Sequence, residues 1–199
     1  MPRVTYVKAA RKDNRVCKKG EPYFWWKFRF GGKHFSLTRP RPSQLTQSSF
    51  YGAVYSLVEM IEDYEIVPGE EGAVTTLVDE VRDELETIQS DCQESLDNIP
   101  ESLQYAPTGE LLQERVGCCE SAIDELDSIE DPEQWEEERD RVAAWDNWQN
   151  EQPAGEGEKD HNADEYAEWE GDEPEEPEGF EEFETDELTD VIHTCMDGG

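Results

Sequence analysis

Aromatic and basic side chains alternate along YFWWKFRF (residues 23–30), and a second segment, KHFSLT, follows Gly31-Gly32. Cations neutralise phosphates and release their counterions, and aromatic rings stack on bases, so this combination of side chains favours nucleic-acid binding. The residues that would supply it from one surface are Trp25, Lys27, Arg29 and His34, with Lys18, Lys19, Arg39 and Arg41 as flanking cations. The alternative interpretation is that these residues form only the solvated face of an antiparallel sheet.

A β-hairpin has to position these side chains. Two β-prone runs separated by Gly-Gly predict a two-residue turn, in which Phe30 lies opposite Lys33. The same pairing places Phe28 opposite Phe35 and Trp26 opposite Leu37. Side chains alternate across a sheet, so one face of the hairpin would be apolar and the other basic and aromatic. The predicted apolar face consists of Phe24, Trp26, Phe28, Phe30, Phe35 and Leu37.

The sequence predicts an α+β fold that begins with a basic module over residues 1–67. VTYVKAA (4–10) supplies a third strand of a small antiparallel sheet. A helix within residues 43–64 would cover the apolar face of this sheet. Its helical spacing is carried by Phe50, Val54, Leu57, Val58 and Ile61.

Beyond the basic module, apolar residues recur in two narrow stripes that step by four and three residues. Such stripes predict an acidic antiparallel helical hairpin over residues 70–130, and they also allow a homodimer through that hairpin. The stripes are Val74, Val78, Val81, Leu85, Ile88 and Cys92, then Leu112, Val116, Cys119, Ile123 and Leu126. Residues 131–150 allow a short helix, and residues 151–199 predict a disordered acidic tail.

Charge is divided sharply along the chain. Residues 1–45 contain 12 basic and two acidic residues, a local charge of +10, whereas the remainder contains five basic and 49 acidic residues, a charge of −44. General solubility or salt adaptation would make a chain acidic but would not place a basic block at one end. The division therefore favours an interaction protein in which the acidic part either tunes the basic part or binds a second partner.

The layout of residues 20–64, with the segment YFWWKFRFGGKHF, resembles the small three-stranded DNA-binding domains of phage integrases (the N-terminal domain) and of plant AP2-type factors. Those domains lay the sheet in the major groove, which implies sheet-face contacts by Trp25, Lys27, Arg29 and His34. The chain as a whole is also similar to small acidic phage- and plasmid-encoded proteins of unknown function.

The acidic part carries its own candidate binding residues. Trp169, Phe180 and Phe183 stand at intervals among the carboxylates, and Phe180, Phe183 and Leu188 to Ile192 are expected to become a short amphipathic segment on a partner. Aromatic anchors within dense negative charge can compete with nucleic acid for a basic surface. The expected partner is thus nucleic acid, with DNA favoured over RNA. The alternative is a basic protein, for example one of host defence, inhibited by acidic helices that imitate nucleic acid.

Several function classes are disfavoured. The sequence has no Gly-rich phosphate loop, nucleophile elbow or HExxH motif, so we expect no enzyme activity and no cofactor. The five cysteines lack CxxC spacing, and no metal site is expected. No apolar run reaches the roughly 18 residues of a membrane span, which favours a cytoplasmic protein without membrane contact.

Overall fold

A computed structural model describes residues 1–151 and 174–197, and its fold is α+β, as the sequence predicts. A three-stranded antiparallel sheet has the order β1-β2-β3. Its strands are β1 (Thr5–Val7), β2 (Tyr23–Lys27) and β3 (Lys33–Ser36), followed by a short 3₁₀ helix (Pro42–Leu45). The helices are α1 (Ser49–Asp63), α2 (Ala73–Asp97), α3 (Glu101–Gln104), α4 (Pro107–Leu126), α5 (Glu133–Glu151) and α6 (Asp186–Asp197).

The chain forms two compact units whose boundaries differ from the predicted ones. Unit 1 takes in Met1–Glu65, Thr76–Ile129 and the segment from Glu184 onward, and unit 2 takes in Ile66–Thr75 and the described part of Glu130–Phe183. The predicted basic module of residues 1–67 is therefore not a separate unit. It shares unit 1 with most of α2, with α4 and with α6.

Helix α1 buries the residues that its spacing predicts, namely Phe50, Val54, Leu57, Val58 and Ile61. Ser48 caps it by accepting a hydrogen bond from Tyr51 N. The 3₁₀ helix is tied to α1 because Ser43 donates from its N–H and its hydroxyl to Glu59 at 2.9 and 2.8 Å. Helix α6 also packs on α1, a neighbour that the sequence does not predict.

Helices α2 and α4 carry the two predicted apolar stripes. In α2 all six predicted residues are buried, together with Leu77 and Leu96. In α4 the buried residues differ from the predicted stripe. Ala122 is buried, whereas the predicted residues Leu112, Val116 and Ile123 are only half-buried. Arg82 pairs with Asp127 at 2.5 Å, and Gln89 donates to Glu120 at 3.2 Å. Both contacts join α2 to α4 or to the residue that follows it, and the antiparallel helical hairpin stays a prediction.

The prediction of a disordered tail is wrong for Asp186–Asp197, because these residues form α6, which is packed in unit 1. Leu188, Val191, Ile192 and Cys195 lie on one side of this helix and are buried. The helix packs on α4 and on α1. The amphipathic segment expected to bind a partner therefore finds its apolar neighbours within the same chain.

Unit 2 contains α5, in the stretch where the sequence allows a short helix. Trp135 is buried and donates from its indole N–H to Glu181 O at 2.9 Å. Glu138, which is only 4% exposed, accepts a hydrogen bond from Gly179 N at 2.8 Å and pairs with Arg141 at 3.1 Å. The segment that contains Gly179 and Glu181 is thus bound to α5 by polar contacts of two side chains.

Candidate nucleic-acid interface

Strands β2 and β3 pair in a register that differs from the predicted one. Lys27 lies opposite Lys33 and Trp25 opposite Phe35, so residues 28–32 form a five-residue loop. The predicted two-residue turn is wrong. A type I′ turn needs positive φ at both central residues, and only Gly31 of the Gly-Gly pair has it. The observed pairing differs from the predicted one by an odd number of residues. The β3 side chains predicted for one face of the sheet therefore lie on the opposite face.

Cross-strand pairing assigns the strand residues to two faces. We name one the Trp25 face; it consists of Thr5, Val7, Tyr23, Trp25, Lys27, Lys33 and Phe35. The opposite face, the Trp26 face, consists of Tyr6, Phe24, Trp26, His34 and Ser36. Trp26 is 4% exposed and is the buried residue of the sheet. The predicted apolar face is corrected accordingly, since Phe35 leaves it and Phe28 and Phe30 lie in the loop.

His34 does not belong to the predicted basic and aromatic cluster. Its ring stacks on Trp26, with centroids 5.5 Å apart and an interplanar angle of 18°, and Phe28 meets it edge-on at 5.3 Å. The register places His34 on the Trp26 face, away from Trp25 and Lys27. Its position is explained by packing on a buried indole.

The Trp25 face joins aromatic rings to two lysines. Lys33 Nζ lies 4.3 Å from the centroid of the Trp25 ring, within the range of a cation–π interaction. Lys27 lies directly across the ladder from Lys33, and both side chains are exposed. Tyr23 and Phe35 approach each other with ring centroids 6.0 Å apart. All three aromatic rings are half-buried, so each presents part of its surface to solvent.

Lys33 is the residue of this face that the sequence analysis misses, and Arg29 is displaced from it. Arg29 lies in the loop, where its guanidinium carbon is 5.5 Å from the ring centroid of Phe30. Phe30 is 75% exposed, and its carbonyl oxygen accepts a hydrogen bond from Gln47 Nε2 at 3.3 Å. The segment KFRFGGK is also compatible with a five-residue loop between Lys27 and Lys33, and that loop length predicts Lys33 as the cross-strand partner of Lys27.

Lys18 and Lys19 lie in a folded loop between β1 and β2. Ala10 closes this loop, because its N–H donates to Glu21 O and its carbonyl accepts from Gly20 N, both at 2.8 Å. Both lysine side chains are exposed. Their backbone N–H groups donate at 2.7 Å to the carboxylates of Glu21 and Asp13, respectively. The two acidic residues of the basic segment therefore serve to fold the loop.

Arg39 and Arg41, the remaining predicted cations, have different surroundings. Arg39 is exposed. Arg41 forms a two-pronged ion pair with Asp63 of α1 at 2.5 and 2.8 Å. This hydrogen bonding lowers the pKa of Asp63 below its ordinary value. A cation already neutralised by a carboxylate offers little to a phosphate, so we reassign Arg41 to the attachment of the 3₁₀ helix to α1.

The predicted partner-binding aromatics lie elsewhere in the chain. Phe180 and Phe183 are half-buried in unit 2, and Trp169 lies outside the described residues. The Phe180 ring packs so closely on Gly69 that a Cβ at this glycine would overlap it. Phe180 therefore has an intramolecular role that the sequence analysis does not foresee.

Three cysteines of unit 1, Cys118, Cys119 and Cys195, lie where α4 and α6 pack together. Cys119 and Cys195 share a hydrogen bond between their thiols, and this bond, together with burial, raises the pKa of Cys119. Cys195 Sγ also lies 3.6 Å from Cys118 O. All five cysteines are free thiols. Among the described residues, no three His, Cys, Asp or Glu side chains are arranged to hold a metal ion.

Comparison with protein-family models, curated proteins and solved structures finds no match for this chain. Within residues 1–151 and 174–197, none of the helices has both the length and the apolar character of a membrane span.

Proposed function

We propose that this protein is a non-enzymatic regulatory or accessory protein that binds nucleic acid through the Trp25 face. Lys27 and Lys33 would contact phosphates, and the aromatic rings beside them would contact bases or sugars. Exposed cations of the adjoining loop, among them Lys18 and Lys19, would extend the contact along the phosphate backbone.

The observation that carries this proposal is the direct opposition of Lys27 and Lys33 at the last pair of the β2–β3 ladder. Like charges directly opposite each other destabilise an antiparallel pair. An ordinary solvated face would pair a lysine with an acidic or a neutral residue. Here the repulsion is retained next to Trp25, and a bound phosphate would relieve it.

The charge around the site supports the same proposal. Residues 1–45 have a local charge of +10, from 12 basic and two acidic residues. Those two acidic residues, Asp13 and Glu21, direct carboxylate oxygens to backbone N–H groups. Among the described residues, no carboxylate forms an ion pair with the side chain of Lys18 or Lys19, which favours binding of a polyanion with release of its counterions.

The acidic remainder of the chain would tune this binding. It contains 49 acidic and five basic residues. Its field repels nucleic acid over about one Debye length, roughly 10 Å at 0.1 M salt. We propose that this repulsion lowers the affinity of the full chain for nucleic acid without abolishing it, and that a basic partner covering part of the acidic surface would raise that affinity.

The alternative function, a nucleic-acid mimic that inhibits a basic protein, is favoured by the outer surface of α2. This helix exposes eight carboxylates, and its one basic residue, Arg82, is already paired with Asp79 and Asp127. The carboxylates belong to Asp79, Glu80, Asp83, Glu84, Glu86, Asp91, Glu94 and Asp97. These carboxylates concentrate exposed negative charge on one helix, as a phosphate backbone concentrates it on a strand.

Salt titration of nucleic-acid binding by the full chain tests the main proposal. The variant Lys27→Gln/Lys33→Gln should bind less tightly, and the slope of log affinity against log salt should fall by about 1.4–1.8, the loss of two phosphate contacts. The matched control is Lys27→Arg/Lys33→Arg, which keeps both positive charges and should leave the salt slope unchanged. In the free protein, Lys27→Gln alone should raise stability by about 0.2–1 kcal/mol, because the like-charge opposition is removed while Lys33 stays over the Trp25 ring.

The same variants separate the two functions. If the full chain binds neither DNA nor RNA at low salt, the main proposal is wrong. If it instead displaces DNA from a histone, and Asp83→Asn/Glu84→Gln/Glu86→Gln abolishes this effect while Lys27→Gln/Lys33→Gln does not, the mimic is the correct function.

A further inference from the structure

We infer that the ligand of the Trp25 face and of the loop beside it is single-stranded nucleic acid, with Phe30 as a stacking residue for an unpaired base. This inference rests on the proposed function and specifies its class of ligand. The shared chemistry is that of an unpaired strand with accessible bases, whether the sugar is deoxyribose or ribose.

The composition of the Trp25 face suits stacking better than the reading of base edges. Three of its seven strand residues are aromatic, and two more, Thr5 and Val7, are small side chains of the edge strand. Specific readout in the major groove depends on hydrogen bonds to base edges, chiefly paired ones from Arg, Lys, Asn or Gln. The strands of this face carry no Arg, Asn or Gln; their long polar side chains are those of Tyr23, Lys27 and Lys33, and lysine binds phosphate as a point charge.

Phe30 adds an exposed aromatic ring in the loop that joins β2 and β3. Its ring is 75% exposed, although apolar rings of this size usually find cover in a folded protein. The ring is also positioned, since Gln47 holds the Phe30 carbonyl and the Arg29 guanidinium lies 5.5 Å from the ring centroid. An exposed, positioned ring with an adjacent cation is the arrangement by which single-strand binders hold a base and its phosphate together.

A duplex cannot use these rings in the same way. Its bases are stacked on one another, so their π faces are closed unless the helix is opened at an energetic cost of a few kcal/mol per base step. An unpaired strand offers those faces freely, and each base–aromatic stack strengthens binding. The arrangement of rings and cations therefore favours the single strand.

The test uses the full chain at one low salt concentration, with three labelled probes of equal length: oligo(dT), oligo(U) and a mixed-sequence DNA duplex. Fluorescence anisotropy should give tighter binding to at least one single strand than to the duplex, by tenfold or more. Comparison of oligo(dT) with oligo(U) identifies the preferred sugar.

Substitution of Phe30 locates the stacking residue. Phe30→Ala should weaken single-strand binding by about fivefold to 100-fold while leaving the salt slope unchanged, because no ionic contact is lost. Phe30→Trp should retain the affinity. Leu37→Ala, at an apolar residue that is also exposed (57%) but lies beyond β3, is the matched control and should bind like the unmodified chain.

The outcomes distinguish this inference from the proposed function. Equal or tighter binding to the duplex, or full single-strand affinity in Phe30→Ala, would overturn the inference. The proposed function would survive that result provided Lys27→Gln/Lys33→Gln still weakened binding. Absence of binding to all three probes would overturn both.

Discussion

Replacement of Ile192 by Ala tests whether α6 is part of the core of unit 1. The Ile192 side chain is fully buried in a helix that packs on α4 and α1. The substitution removes three carbon atoms, and at about 0.8 kcal/mol for each buried methylene the lost transfer free energy is roughly 2.4 kcal/mol. The cavity left behind adds to this, so the free energy of unfolding should fall by about 2.5–4 kcal/mol.

Urea denaturation of the full chain, followed by circular dichroism and by tryptophan fluorescence, measures this loss. His193→Ala is the matched control because His193 is the exposed neighbour on the same helix. It should change the free energy of unfolding by less than about 0.5 kcal/mol. If Ile192→Ala were as stable as this control, α6 would not be packed in solution, and the assignment of the C-terminal segment to unit 1 would be wrong.

Two further predictions concern contacts within unit 1. Gly109→Ala should destabilise the protein by about 1–3 kcal/mol, because the added Cβ would overlap the backbone carbonyl of Gln104. Gly117→Ala, in open space on the same helix, should instead stabilise it by about 0.5–1 kcal/mol. Thermal unfolding measures both effects, and stability changes of the same sign in the two variants would contradict this prediction. The hydrogen bond from Arg41 lowers the pKa of Asp63 in the folded protein below its ordinary value of 3.8. The ion pair therefore stabilises the fold above pH 3.8, and this stabilisation is lost as the pH falls through the pKa of Asp63 in the folded state. The stability difference between the unmodified chain and Asp63→Asn should therefore shrink below about pH 3.8 in urea titrations, and a difference that stayed constant there would refute this assignment.

The sheet shows how a correct local prediction can still give an incorrect site. The β-prone runs on either side of Gly31-Gly32 do form neighbouring antiparallel strands. The length of the loop between them is decided by packing, with Trp26 buried and His34 stacked on it. Because a shift by an odd number of residues exchanges the faces, this one difference removes His34 from the predicted cluster and adds Lys33.

Helix α6 shows a second limit of sequence reasoning. Its apolar residues are too few to justify a folded segment next to a highly acidic stretch, and composition alone favours a disordered tail. Only the presence of α4 and α1 provides a surface on which Leu188, Ile192 and Cys195 become buried. The free energy of this burial depends on residues that lie far away in the sequence.

The sequence by itself determined the α+β class, the helical stripes of α1 and α2, and the division of charge between the two parts of the chain. These features depend on residue type and on local periodicity, which the chain carries whatever its tertiary packing. The tertiary structure alone decided the β2–β3 register, the grouping of α6 with the N-terminal half, and the pairing of Arg41 with Asp63. Each of these depends on which of several locally acceptable contacts buries the most apolar surface or satisfies a charge, and that choice is made by residues distant in sequence.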